Sequence, residues 1–88
     1  MRYRQNPHAP FTTLGPEATI ITPRDSRLHL LNAVASRIWE LCDGDGATLD
    51  TIASQLVAEY DVSRDQATVE ARAFLDDGVE RGFLIAEE

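Results

Sequence analysis

The stretch Leu30-Leu31-Asn32-Ala33-Val34-Ala35-Ser36-Arg37-Ile38-Trp39-Glu40-Leu41-Cys42-Asp43-Gly44 decides how this chain folds. Its two leucines end an extended run. Asn32 then has the chemistry of a helix cap, because its side-chain oxygen can accept from an amide that the first turn leaves unpaired. With Ile38 as the centre, Val34, Ala35, Leu41 and Cys42 fall in one apolar stripe at helical spacing. Trp39 borders that stripe, and Ser36, Arg37 and Glu40 are expected to face away. Gly44 is the expected stop. A strand therefore runs straight into a short buried helix, with a β half before it and a helical half after it.

Upstream, residues 1–10 include Pro7, His8 and Pro10 and show no periodicity. They are expected to form an irregular arm, leaving residues 11–88 as one domain. Residues 11–14 make a first candidate strand, closed by the Gly15-Pro16 breaker. Residues 17–22 are rich in β-branched side chains and read as a second strand. Pro23-Arg24-Asp25-Ser26 is turn chemistry, and residues 27–31 follow as a third strand. There the period of two puts Leu28 and Leu30 on one face and Arg27, His29 and Leu31 on the other. The leucines are assigned to the core side and His29 to the outside. Three short strands in succession make an antiparallel meander whose last member offers an open edge.

Downstream, Asp43-Gly44-Asp45-Gly46-Ala47 is a polar loop. It has the look of a calcium loop, but Ala47 stands where a third oxygen ligand belongs and Ser54 where the bidentate glutamate is needed. No calcium site is expected. Thr48 caps a second helix running to about residue 60, in which Leu49, Ile52, Ala53, Leu56, Val57 and Tyr60 keep one amphipathic face. Ser63 and Gln66 have capping-box spacing and open a third helix that runs to about residue 81, with Gly82 as its stop. Ala67, Ala71, Phe74, Leu75 and Val79 build its apolar face. Gly78 lies in that face too, at a cost in helix propensity that points to close backbone approach. Residues 83–86 are apolar and are expected to close the core as a terminal strand. The fold class is α+β, a three-stranded antiparallel meander followed by three helices, in the order of a winged helix-turn-helix.

Charge and composition exclude several functions. All eight basic residues are arginine, and the net charge is −7. Residues 1–32 sum to +2, whereas residues 33–88 sum to −9. The third helix carries three arginines against Asp65, Glu70, Asp76, Asp77 and Glu80, the wrong sign for a DNA-reading helix. No apolar run approaches the roughly 20 residues that cross a bilayer, and no signal-peptide pattern opens the chain, so no membrane association and a cytoplasmic location are expected. Cys42 is the single cysteine and reads as a small buried hydrophobe, without a disulfide or a reactive thiolate. Phosphate loops, paired metal ligands and nucleophile elbows are missing, so neither catalysis nor a cofactor is expected.

Residues 10–85 resemble a known family. Leu31, Asn32, Ala35, Ile38, Trp39, the Leu41-Cys42-Asp43-Gly44 run, Thr48, Ile52 and Leu56 match the central signature of PqqD-like proteins. Tyr60, Val69, Phe74, Leu75 and the Gly82-Phe83-Leu84 run continue it. Two positions depart from the pattern: the loop at residues 44–47 is about one residue long, and Gly78 replaces a usual leucine.

The resemblance implies a peptide chaperone, a recognition element for the leader segment of ribosomally made precursor peptides that are later modified. Its partners would be the precursor peptide and a modifying enzyme, in some pathways a radical S-adenosylmethionine protein; any cluster or cofactor would belong to that enzyme. The resemblance also implies a groove between the third strand and the third helix. That nominates Arg27, Leu28, His29, Leu30 and Leu31 on the strand, and Thr68, Arg72, Leu75 and Val79 as the helix wall. Arg27 and Arg72 would meet leader carboxylates. An exposed third strand suits this role, since an extended peptide can complete its row of free amides and carbonyls. The same edge leaves homodimerisation open, and the competing classes are a winged-helix DNA-binding regulator and a structural dimerisation module.

Overall fold

The computed structural model describes residues 1–88. The elements in chain order are β1 Arg2–Gln5, β2 Phe11–Leu14, β3 Glu17–Ile21, β4 Leu28–Leu30, α1 Ala33–Leu41, β5 Ala47–Thr48, α2 Leu49–Glu59, α3 Arg64–Arg81 and β6 Leu84–Glu87. The strands form two antiparallel sheets of three, ordered β5-β1-β6 and β2-β3-β4. The second of these is the expected meander.

Each helix begins at its expected cap. Asn32 Oδ1 accepts from the Ala35 amide at 2.8 Å, Thr48 Oγ1 from Thr51 at 3.2 Å, and Ser63 Oγ from Gln66 at 3.1 Å. These contacts satisfy amides that have no partner inside the helix. α3 ends at Gly82, whose φ of 89° lets its amide turn back to the Gly78 and Val79 carbonyls. α1 behaves differently from expectation: it ends at Leu41 with Cys42 as its cap, and Gly44 lies in the turn beyond. That turn feeds β5, a two-residue strand too short to leave a periodic signal.

The irregular arm expected at residues 1–10 is overturned in its first half. β1 is the central strand of its sheet, with Arg2 opposite both Thr48 and Glu87 and Tyr3 opposite both Ala47 and Ala86. Four residues followed by prolines carry too little pattern to show this, because the strand exists through partners far away in sequence. Its exit also closes two helix ends. The Gln5 amide donates to the Cys42 carbonyl at 3.0 Å and its side chain to the Trp39 carbonyl at 2.8 Å. Asn6 does the same for Phe83 and Gly82.

The core lies between the two sheets and the three helices. Trp39, Phe83, Ile20, Ile38, Ile52, Leu56 and Leu75 are its largest buried apolar side chains. α3 contributes mostly small residues there, Ala67, Ala71 and Gly78 beside Leu75. A Cβ on Gly78 would stand 2.5 Å from Leu84 Cδ1 and 2.9 Å from Phe83 Cε1, so this glycine lets the chain entering β6 lie close against the helix. Two α1 residues depart from the amphipathic reading. Trp39 is fully buried rather than marginal, and so is Ser36, expected outside. The reason is that α1 is packed on both sides, and Ser36 has polar work to do at the end of the second sheet.

Candidate functional site

β4 is held on one side only. The Leu31 amide donates to the Ala18 carbonyl at 2.9 Å, and the Thr22 amide donates to the Arg27 carbonyl at 2.9 Å. Between them the register pairs Thr19 with Leu30, Ile20 with His29 and Ile21 with Leu28. Hydrogen-bonded and non-bonded pairs alternate along an antiparallel ladder. The backbone groups of Arg27, His29 and Leu31 therefore face the β3 side, whereas Leu28 and Leu30 turn an amide and a carbonyl each toward an edge that no strand of this chain covers. At the far end of the ladder Ser36 completes the pairing. Its Oγ accepts from the Ala18 amide at 2.8 Å and donates to the Leu31 carbonyl at 3.4 Å, which splices α1 to the strand.

The two faces of β4 are opposite to expectation. Leu28 and Leu30 are 66% and 85% exposed, and His29 is the half-buried residue. The alternation itself is correct; it simply cannot say which face meets the core. Pairing decides that, because residues opposite one another share a face. His29 sits across from Ile20, which is fully buried, and follows it inward. Its ring lies 5.7 Å from that of Phe83. The outer face of the sheet is left with Leu14, Leu28 and Leu30 in solvent.

α3 passes close to both ends of this strand. At the turn end, Arg24 donates to the Glu80 carbonyl at 3.3 Å, and Arg24 and Asp25 gather with Asp77, Glu80 and Arg81. At the other end, Asn32, Val34 and Ala35 face Glu70, Ala73 and Phe74 across a cleft of about 300 Å³. Residues 70, 73, 74 and 77 lie on one helical face at spacings of three and four. This face of α3 thus meets the start of α1 through Glu70, Ala73 and Phe74 and the β3–β4 turn through Asp77, and Phe83 links it to β4: its ring is 5.7 Å from Phe74 and 5.7 Å from His29.

The charges near the turn are largely matched. Arg81 donates to Asp77 at 2.7 Å, which raises its pKa. The Thr22 hydroxyl bonded to Asp25 lowers that carboxyl, with further help from Arg27. Arg27 itself is exposed, with its guanidinium 3.9 Å from Asp25. Burial pushes the Cys42 thiol up to about 12, which leaves it without nucleophilic character at neutral pH. No group of three or more histidine, cysteine, aspartate or glutamate side chains is arranged to hold a metal ion.

The structure brings Arg27, Leu28, His29, Leu30 and Leu31 together at the edge, but the helix residues expected to face them divide. Leu75 is fully buried in the core and offers no contact surface. Thr68 and Arg72 line a different cleft of about 490 Å³, with Met1, Tyr3, Thr48 and Arg64. Val79 is 37% exposed. The α3 residues nearest the end of β4 are instead Glu70, Ala73 and Phe74, which the sequence reading does not nominate. Helical phase offers two flanks beside a core stripe, and the choice depends on which side the meander docks. Phe74, assigned to the apolar face itself, is the one member of this row that the sequence singles out.

The family model for coenzyme PQQ synthesis protein D (PqqD) matches residues 17–84. The chain belongs to the PqqD family. The span shared with PqqD begins at the first residue of β3 and ends at the first residue of β6, so it contains the open edge, α1 and α3. Two solved structures have the same fold as this PqqD-family chain. One is TbiB1 in complex with the TbiA(beta) leader peptide, at 24% identity and a TM-score of 0.84 over 97% of this chain and 98% of that one. The other is a lasso peptide synthetase B1 complexed with its leader peptide, at 22% identity and a TM-score of 0.82 over 98% and 100%. No curated protein matches the chain in sequence.

Proposed function

We propose that this PqqD-family chain is a peptide chaperone: it binds the leader segment of a ribosomally made precursor by strand addition and presents it to a modifying enzyme. The observation that carries this reading is the unpaired amide and carbonyl row of Leu28 and Leu30. An extended peptide laid there extends the β2-β3-β4 sheet by one strand, with backbone bonds for affinity and alternate side chains for selectivity. The fold supports it as well, since both similar structures hold leader peptides.

Under this reading the arrangement is a winged helix-turn-helix, with β2-β3-β4 as the wing, put to use for peptide rather than DNA. The chain binds and does not catalyse; the chemistry belongs to its partner, a radical S-adenosylmethionine enzyme or the protease and cyclase of a lasso-type pathway. A cytoplasmic setting follows from that partnership. No helix is long and apolar enough to cross a membrane. In this reading the exposed Arg27 would meet a leader carboxylate, and Leu28 and Leu30 would flank the added strand. The test is a titration of the isotope-labelled chain with a candidate leader peptide. Amide shifts concentrated at residues 27–31 and at Glu70, Ala73, Phe74 and Asp77 support the reading; shifts produced by duplex DNA alone, or self-association alone, refute it.

A further inference from the structure

Strand addition explains how a peptide is held, but not which one. The cleft between α1 and α3, just past the end of β4, bears on that question, and the inference drawn from it rests on the peptide-binding reading. Its walls are apolar carbon from Val34, Ala35, Ile38, Ala73 and Phe74, and its one charged group is Glu70. Glu70 takes part in none of the ion pairs of the structure. Its only polar partner is the Gln66 side-chain amide, at a long 3.4 Å. Two turns along the same row Asp77 is neutralised by Arg81. This face of α3 therefore has a matched charge at one end and an unmatched carboxylate at the other.

That asymmetry constrains the occupant. A wholly apolar side chain filling the cleft would crowd an exposed, unpaired carboxylate and take part of its water without offering a hydrogen bond in return. An acidic side chain would add repulsion to that cost. A lysine or arginine avoids both, because its methylene stem can lie along apolar walls while its head reaches the charge. We propose that this cleft is a cation-selective pocket for one lysine or arginine of the bound peptide, with Glu70 as the residue that determines the selectivity.

The probe is a displayed library of random peptides, panned on the full chain and on Glu70→Lys and Glu70→Gln. Glu70 is exposed and thermal melts of the variants are expected to match the parent. The parent should enrich peptides with lysine or arginine at one fixed position. Replacing that residue by norleucine in a selected peptide should weaken binding about fivefold to tenfold, as for a charged hydrogen bond at a half-open site. Glu70→Gln should erase that difference, and Glu70→Lys should turn the preference to aspartate or glutamate. If the parent and Glu70→Lys enrich the same sequences, the pocket proposal is overturned while peptide binding stands. If no peptide is enriched, or the enriched peptides leave the Leu28 and Leu30 amides unmoved, the peptide-binding reading fails and the proposal falls with it.

Discussion

The two sheets of this molecule are of equal size and put to opposite uses. In β5-β1-β6 the central strand is paired on both sides and draws together residues 2–5, 47–48 and 84–87. Gln5, its last residue, and Asn6, the next, then satisfy carbonyls at the C-terminal end of α1 and just past that of α3. It is a clasp. In β2-β3-β4 the pairings are local hairpins, the inner face packs on Trp39 and Phe83, and the outer face and the β4 edge stay bare. An open edge is a liability that folded proteins normally cover or charge. Here a three-residue edge strand stays unpaired and keeps two leucines in water, and its shortness is the main guard against pairing with the wrong chain.

The largest expected effect separates the two faces of the second sheet. Ile20→Ala removes a fully buried side chain and should cost about 2–5 kcal/mol in urea unfolding. Leu30→Thr, on the exposed face, should stay within about 0.5 kcal/mol. A cost for Leu30→Thr as large as that for Ile20→Ala would contradict the assignment of the two faces. Next in size is the splice between α1 and the sheet. Ser36→Ala leaves the Ala18 amide buried without its acceptor, and about 1–3 kcal/mol should be lost by the same measurement.

A smaller effect lies away from both sheets, where Arg37 of α1 holds Glu59 of α2 at 2.9 Å. The Arg37 guanidinium, with Gln55, lowers the Glu59 carboxyl below its ordinary value of 4.5. A carboxyl lowered on folding stabilises the folded state above its unfolded value, and the contribution is lost as pH falls through the folded value. Melting temperatures of the parent and Glu59→Gln should therefore differ near neutrality and converge below the ordinary carboxylate range. A difference that widens in acid would reverse the assignment.

What could be read in the sequence, and what could not, follows the same division. The three caps at Asn32, Thr48 and Ser63, the stop at Gly82 and the meander are local, and each depends on residues a few positions apart. β1 depends on partners about 45 and 80 positions away and left no local trace. The facing of β4 and the choice of α3 flank depend on docking: a period of two fixes alternation but not which side is inside. Ser36 shows the same limit, since a serine in a helix reads as solvent-facing until a strand end needs its hydroxyl. Residues 27–31 were legible as an edge because an end-of-meander strand is an edge by topology; that Glu70, Ala73 and Phe74 line the cleft against α1 was not.

The central claim is that Leu28 and Leu30 hold an unpaired edge for a peptide. Amide hydrogen exchange at single-residue resolution tests it directly, with and without a saturating leader peptide. In the free chain the Leu28 and Leu30 amides should exchange quickly while His29, bonded to β3, exchanges slowly. With peptide bound, Leu28 and Leu30 should become as protected as His29. If they stay fast in the complex, or protection appears instead at Phe11 and Thr13 on the opposite edge of the sheet, the account is contradicted.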